Sequence, residues 1–154
     1  MTLLSGESAT ARLAELLAQK LPRGSVVLLG GPMGAGKTTL VRYLARSLGF
    51  GGRVTSPTYT LMHTYPTPAG VLLHVDAYRL SDPQALWELG FAEALGDAHL
   101  TAIEWGNPEH FPADLLLTLE PRGLDARNLC LEPLHAGLEP LVRELLHTLG
   151  QEGP

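Results

Sequence analysis

A glycine-rich segment between an apolar run and an amphipathic stretch most strongly constrains how this chain can fold. Residues 31–38 read Gly-Pro-Met-Gly-Ala-Gly-Lys-Thr and fit the pattern G-x-x-x-x-G-K-[ST] in full. The apolar run at residues 25–30 predicts a buried strand before it, and apolar residues at helical spacing over 37–48 predict a helix after it. A strand, a glycine-rich turn and a helix in this order indicate a phosphate-binding loop.

The positions of this loop suit the binding of a nucleotide. Glycines allow a tight turn whose N–H groups point at phosphate oxygens, and the following helix adds its positive N-terminal end. Lys37 is expected to neutralise the β- and γ-phosphates, and the Thr38 hydroxyl to ligate Mg²⁺. The sequence has no Asn-Lys-x-Asp segment of the kind that reads guanine in many GTPases, which favours ATP. The predicted cofactor-binding residues here are Gly31, Pro32, Met33, Gly34, Ala35, Gly36, Lys37, Thr38 and Thr39.

Helical and strand-like patterns alternate along the rest of the chain. Further helices are predicted over residues 8–20, 83–89 and 138–149. A turn at 66–70 predicts a β-hairpin from its two flanking strands, and the predicted strands are 58–65, 71–75, 100–103, 115–119 and 128–131. We therefore predict one P-loop α/β domain over residues 1–154, a mostly parallel sheet flanked by helices with an antiparallel hairpin insertion.

Two acidic residues that follow apolar runs are candidates for the metal side of the site. Asp76 comes directly after residues 72–75, and Glu104 directly after residues 100–103. In an open α/β sheet the ligand lies in the crevice outside the carboxyl ends of the strands. Both carboxylates are therefore expected beside the phosphate-binding loop, although a solvated acid that ends a strand is the alternative for each.

Other polar and aromatic residues are less specific. Thr58 is either a switch residue that senses the γ-phosphate and Mg²⁺ or an ordinary threonine entering a strand. The histidines show no metal-ligand spacing, so His63 and His74 are interpreted as hairpin residues. Trp87 and Trp105 are interpreted as packing or partner-contact residues.

Charge and composition exclude several classes of protein. Eleven Lys and Arg against sixteen Asp and Glu give a net charge of −5, and no window is rich in basic residues, so we do not expect the chain to hold nucleic acid alone. No apolar run approaches the ~18 residues of a transmembrane helix, and no signal peptide is visible. The single cysteine, Cys130, excludes an internal disulfide and favours a cytoplasmic location.

Four segments in chain order resemble the TsaE family (formerly YjeE), the P-loop ATPases of bacterial tRNA threonylcarbamoyladenosine (t6A) synthesis. They are the loop region 29–42, Thr-Ser-Pro-Thr-Tyr-Thr-Leu at 55–61, His-Val-Asp-Ala-Tyr-Arg-Leu at 74–80 and Ile-Glu-Trp-Gly at 103–106. The resemblance covers nearly the whole chain. It implies an Mg²⁺-dependent ATPase, weak alone and activated by the TsaB and TsaD proteins. It further implies that TsaD transfers the threonylcarbamoyl group, that tRNA is met indirectly through these partners, and that ATP hydrolysis resets the complex between turnovers.

The resemblance also implies roles for individual residues. Asp76 corresponds to the Walker-B-type acid, and Thr10 and Arg127 to more loosely matched nucleotide contacts. The catalytic set that it implies is Lys37, Thr58, Asp76 and Glu104. The metal set that it implies is Thr38, Asp76 and Glu104.

Two other functions remain open from the sequence. A small-molecule kinase that uses the same loop would place phosphate on an added metabolite, although no Arg-rich lid is visible. A nucleotide-dependent binding module would assemble a complex without turnover. Inorganic phosphate release and modification over many turnovers distinguish an ATPase from both.

Overall fold

The computed structural model describes residues 2–55, 61–78 and 83–151, and these form a seven-stranded sheet with five α-helices. The strands are β1 (Thr2–Ser5), β2 (Ser25–Gly30), β3 (Met62–Thr67), β4 (Gly70–Asp76), β5 (Ala98–Glu104), β6 (Leu115–Arg122) and β7 (Ala126–Pro133). The helices are α1 (Gly6–Lys20), α2 (Lys37–Ser47), α3 (Pro83–Glu88), α4 (Phe91–Asp97) and α5 (Glu139–Gln151), and a 3₁₀ turn (Ala136–Leu138) precedes the last of them.

The centre of the sheet is parallel and its flanks are antiparallel. The strand order is β1-β7-β6-β2-β5-β4-β3. β2 pairs in parallel with both β5 and β6, and β5 pairs in parallel with β4. The β3–β4 hairpin and the β6–β7 and β1–β7 pairs are antiparallel. This arrangement confirms the predicted α/β fold with an antiparallel hairpin insertion, and the sheet is mostly parallel in its core, as predicted. The antiparallel flank of β6, β7 and β1 was not predicted.

Helices cover both faces of the sheet because their apolar residues recur at helical spacing. On one face Leu13 of α1, Leu40 of α2 and Leu145 of α5 belong to a continuous buried cluster. On the other face Phe91 of α4 packs edge-on against Phe111, with ring centroids 5.8 Å apart. Full burial of a side chain such as leucine stabilises a fold by about 1.5–3 kcal/mol. The two clusters hold the central strands between layers of helices, and β2 thereby fixes the start of the glycine-rich loop.

Two elements of the structure are missing from the sequence-based prediction. β1 has only four residues and forms by pairing with β7, at the far end of the chain, so it leaves no local pattern. α4 is a separate short helix because Gly90, at φ +92°, ends the turn after α3 and precedes Phe91. Glycine takes this left-handed conformation without the strain that a side chain would add.

The predicted boundaries also shift. β3 begins at Met62, because Leu61 has a φ of +65° that does not fit a pleated strand. The predicted strand residues 58–60 lie outside the described part of the chain. β5, β6 and β7 extend beyond their predicted bounds because pairing with neighbouring strands continues past the apolar runs. Among the residues described, no helix combines the length and apolar character that a membrane crossing requires.

Candidate functional site

The glycine-rich loop follows β2 at the edge of the sheet where the two predicted acids emerge. Leu29 of β2 is the register partner of Glu104 on β5, and Glu104 is the register partner of Asp76 on β4. Because these strands are parallel, their carboxyl ends lie side by side. The loop and both carboxylates therefore share one edge of the sheet, where ligands of α/β proteins bind.

A cleft of about 340 Å³ lies at this edge. It is formed by the loop, the start of α2, the ends of β4 and β5, and one residue of β7. Its lining residues are Met33, Gly34, Ala35, Gly36, Lys37, Thr38, Thr39, Asp76, Tyr78, Glu104, Trp105 and Arg127.

The loop needs glycine at positions where a side chain would obstruct it. Gly31 has a φ of +125°, and a Cβ atom there would overlap the carbonyl oxygen of Leu119 on β6. Gly36 has a φ of +103° and comes directly before the first residue of α2. These two glycines allow the backbone to turn sharply between β2 and α2, so that the helix N-terminus faces the cleft.

Lys37 is 5% exposed and points back across the loop. Its Nζ donates hydrogen bonds to the carbonyl oxygens of Gly31 and Pro32, the second at 3.3 Å. The same ammonium lies 3.5 Å from the centroid of the Trp105 ring, which is a cation–π contact. Burial lowers the pKa of Lys37 below its ordinary value, while the nearby carboxylates of Glu104 and Asp76 act in the opposite direction.

The carboxylate of Glu104 is held from two sides. The Thr38 hydroxyl lies 3.2 Å from Oε1 and 3.1 Å from Oε2 and donates to this carboxylate. Nε2 of His74 lies 2.5 Å from Oε2. His74 is completely buried, and its Nδ1 has no hydrogen-bond partner among the described residues. The side chain of Glu104 is thus fixed between the loop and β4.

Asp76 and Trp105 shape the rest of the cleft. Oδ1 of Asp76 accepts the backbone N–H of Tyr78 at 2.9 Å. Trp105 has a φ of +63°, a left-handed conformation that costs a non-glycine residue about 1–2 kcal/mol. Its ring lies over Lys37 and packs on Tyr78, with ring centroids 4.9 Å apart. Strained backbone of this kind is concentrated at functional sites.

The side chains at this edge fit a hard cation. Thr38, Asp76 and Glu104 supply hydroxyl and carboxylate oxygens, the donor type that Mg²⁺ prefers. In the described ranges, no group of three or more His, Cys, Asp and Glu side chains is arranged to hold a metal. Mg²⁺ suits a site of this kind because it usually takes one or two carboxylates and completes its shell with phosphate and water oxygens.

A smaller cavity of about 70 Å³ adjoins the loop on the side of α1. Thr10, which is 7% exposed, and Arg127 both line it. The Arg127 Nε donates to the carbonyl oxygen of Ala35 at 2.8 Å, which attaches β7 to the loop. The two loosely matched nucleotide contacts of the sequence analysis therefore lie together beside the loop.

The structure brings together the predicted site residues that it describes, while Thr58 lies outside the described residues. Sequence reasoning missed His74 and Trp105 as parts of the site. His74 precedes Asp76 by two positions, so strand alternation places both on one face of β4, and this signal was available. Trp87 packs on Phe91, with ring centroids 4.8 Å apart, which confirms its packing role.

Comparisons with known proteins agree on one family. Residues 4–129 match the family model described as "Threonylcarbamoyl adenosine biosynthesis protein TsaE". A relative from Rickettsia felis, named as a tRNA threonylcarbamoyladenosine biosynthesis protein, is 43% identical over 106 residues, which cover 68% of this chain and 61% of that protein. A relative of the same name from Aquifex aeolicus is 39% identical over 120 residues, which cover 77% of this chain and 84% of that protein.

A solved structure shows the same fold. The crystal structure of Bacillus subtilus YdiB superposes with a TM-score of 0.78 at 27% sequence identity, and the match covers 96% of this chain and 93% of that one. The chain matches only about three fifths of the length of the relatives from Rickettsia felis and Rickettsia conorii, 61% and 60% respectively.

Proposed function

The chain belongs to the TsaE family of threonylcarbamoyl adenosine biosynthesis proteins, and from this premise we propose that it binds and hydrolyses ATP with Mg²⁺. In this proposal residues 1–154 act as one P-loop ATPase domain in the cytoplasm. Its hydrolysis supports repeated t6A formation on tRNA by the TsaB–TsaD pair. The chain is a weak ATPase alone and becomes active when this pair is bound.

The observation that carries the ATPase proposal is that Glu104 contacts the glycine-rich loop and lies beside Asp76. Its carboxylate contacts the hydroxyl of Thr38, the residue after the loop lysine, and its backbone is paired in register with Asp76. A loop that binds phosphate thus lies directly beside two buried acids. Phosphoryl transfer from ATP needs this combination of phosphate binding and metal-directing acids.

Each residue has a distinct role in the proposal. Lys37 exchanges its hydrogen bonds to the loop carbonyls for contacts with the phosphates. Neutralising the phosphate charge compensates for the loss of these hydrogen bonds. Mg²⁺, when bound, would neutralise further negative charge on the phosphates, and Thr38, Asp76 and Glu104 would hold it. Thr58 acts as the switch residue, and Thr10 and Arg127 contact the nucleotide from the side of α1 and β7.

Tryptophan, histidine and backbone contacts support these roles. The Trp105 ring limits access of water to the Lys37 ammonium from one side. His74 keeps the Glu104 carboxylate in position. The N–H of Ala77 donates to the Glu104 carbonyl oxygen at 2.9 Å, and the N–H of Trp105 donates to the Leu29 carbonyl oxygen at 3.1 Å, so the strand ends that carry the acids are fixed to each other.

The test measures inorganic phosphate release and t6A formation together. We expect little phosphate release from the chain alone, and clear stimulation when TsaB–TsaD and Mg²⁺ are added. With tRNA and threonylcarbamoyl donor present, t6A should exceed one equivalent per TsaB–TsaD pair only with hydrolysable ATP. Multiple turnovers with a non-hydrolysable analogue would contradict the proposal, and phosphate transferred to an added metabolite would indicate a kinase instead.

A further inference from the structure

Three arginines of α2 and of the loop that follows it meet at one surface groove. Arg42 and Arg46 lie one helical turn apart on α2, and Arg53 lies in the loop that follows this helix. With Gly51, Gly52 and Val54 they line a groove of about 370 Å³, which we call the arginine groove. Residues 42–53 contain these three arginines and no acidic residue, and the fold brings the three side chains to one groove.

The arginine groove carries positive charge that the described part of the chain leaves uncompensated. No described carboxylate oxygen lies within 4 Å of Arg42, Arg46 or Arg53. By contrast, the half-buried Lys20 is paired with Glu144 at 2.7 Å. Like charges four residues apart on a helix are destabilising, and Arg42 and Arg46 have this spacing. A negatively charged partner from outside the chain would relieve this repulsion.

The loop residues that line the arginine groove add hydrogen-bond donors. The backbone N–H groups of Gly51, Gly52 and Arg53 donate to no other described residue. A Cβ atom at Gly51 would meet nothing within 4 Å, so the backbone is accessible there. Guanidinium groups and backbone N–H groups together form a surface of donors that can bind a carboxylate or a phosphate. Arginine binds either anion through two parallel hydrogen bonds.

We propose that the arginine groove docks an acidic protein surface, that of the partner pair which stimulates this chain. This proposal rests on the proposed function. Apart from these three arginines, the chain has eight basic and sixteen acidic residues. An RNA backbone that continued past the groove would meet this acidic remainder, whereas a compact group of carboxylates would fit within the groove. The Arg46 guanidinium also lies 5.6 Å from the Tyr43 ring centroid, and Arg and Tyr are enriched at protein interfaces.

The position of the arginine groove connects docking with the nucleotide site. Arg42 and Arg46 are on the same helix whose first residues are Lys37 and Thr38. Arg53 is separated by a single residue from Thr55, which exchanges two 3.2 Å hydrogen bonds with the Tyr65 hydroxyl on β3. A partner in the groove thus contacts both the helix that begins in the cleft and the loop that precedes the Ser-Pro-Thr-Tyr segment.

The test compares two variants with equal loss of charge. The first replaces the groove arginines (Arg42→Gln, Arg46→Gln and Arg53→Gln), and the matched control replaces three exposed arginines elsewhere (Arg23→Gln, Arg122→Gln and Arg143→Gln). Affinity for the TsaB–TsaD pair is measured by titration at about 50 and 200 mM salt. We expect the groove variant to bind about tenfold more weakly at the lower salt concentration, with a smaller salt dependence than the wild type. The control should bind within about twofold of the wild type.

Nucleotide affinity without partners shows that each variant is folded, and it should be equal in all three proteins. If the wild type binds the pair and is stimulated by it, equal affinities of the groove variant and the control mean that the pair does not dock at the arginine groove. The proposed function would stand in that case. If the groove variant keeps its affinity for the pair and loses affinity for free tRNA, the groove binds RNA and the proposal is wrong. If the wild type neither binds nor responds to the pair, the proposed partner dependence fails as well.

Discussion

The Nε2 atom of His74 lies 2.5 Å from Oε2 of Glu104, and both side chains are buried between β4 and the phosphate-binding loop. The Thr38 hydroxyl, at the end of the glycine-rich loop, contacts the same carboxylate. Glu104 is therefore restrained by a strand and by a loop at once. Catalytic groups need this kind of support, because a small misplacement of a carboxylate weakens its action on the reacting atoms.

A substitution of His74 tests this support. His74→Ala is expected to lower the maximal rate of ATP hydrolysis about 10–100-fold, the usual cost of removing a group that orients a metal-site residue. His74→Gln retains a donor and should recover part of the loss. ATP affinity without Mg²⁺ should change little in either variant, and exposed His147→Ala serves as the control. Equal rates for the alanine and glutamine variants would contradict a positioning role.

Lys37 tests the phosphate-binding loop itself. Lys37→Ala removes the buried ammonium, and we expect ATP hydrolysis with partners to fall about 10²–10³-fold, as for the loss of other single electrostatic contacts to a transition state. The control is Lys20→Ala, which removes the only other lysine and its surface ion pair with Glu144. Near-normal phosphate release by the Lys37 variant would refute the role of the loop.

The two acids are expected to act as one unit. Asp76→Ala and Glu104→Ala should each reduce hydrolysis much more than nucleotide binding, because the proposed function assigns both carboxylates to the metal and water side of the site. Steady-state kinetics of the double variant should show a loss smaller than the product of the single losses. A loss equal to that product would mean that the two carboxylates act independently.

The glycine-rich loop, Asp76 and Glu104 could be predicted from the sequence because each depends on neighbouring residues. The tight turn requires glycine, and the strand before Asp76 is an apolar run, so both features depend on neighbouring residues. The contact of His74 with Glu104 depends instead on the register between β4 and β5, which the sequence does not state. The left-handed backbone of Trp105 is similarly imposed by its surroundings, since tryptophan has no preference for it.

Features made by distant parts of the chain are the hardest to predict. β1 exists because β7 pairs with it, and Arg127 reaches Ala35 because β7 lies next to β1 and β6. Propensity and periodicity report on neighbours along the chain, so these contacts carry no local signal.

Partner activation should depend on Thr58. Phosphate release by the chain alone is expected to be slow, and contact with TsaB–TsaD to raise it, since an arginine or an ordering contact from a partner raises phosphoryl transfer by about 10³–10⁵ in other systems. Thr58→Ala should reduce this stimulation while leaving partner binding intact. Full activity without partners would exclude partner dependence. Equal stimulation of the wild type and the Thr58 variant would exclude only the switch role.

Alanine substitutions of two loop glycines distinguish the cost of a steric clash from the cost of a positive φ. Gly31→Ala places a Cβ against the Leu119 carbonyl, and we expect it to lower the free energy of unfolding by about 1–3 kcal/mol in addition to the strain of its positive φ. Gly34 also has a positive φ, +79°, but a Cβ there meets nothing within 4 Å. Gly34→Ala should therefore have the higher melting temperature of the two in thermal unfolding followed by circular dichroism. The reverse order would contradict the packing of the loop on β6.

The pairing of β1 with β7 determines when, during synthesis, the cavity between α1 and the glycine-rich loop can form. Leu4 and Arg127 are register partners although 123 positions separate them, and the N–H of Gly6 donates to the Asp125 carbonyl oxygen at 2.7 Å. The cavity between α1 and the loop is complete only when these two ends of the fold have met. On the ribosome, β1 can pair only after β7 has emerged, because the contact closes a loop of more than a hundred residues. A fragment that stops before β7 would therefore carry the glycine-rich loop without the finished cavity beside it.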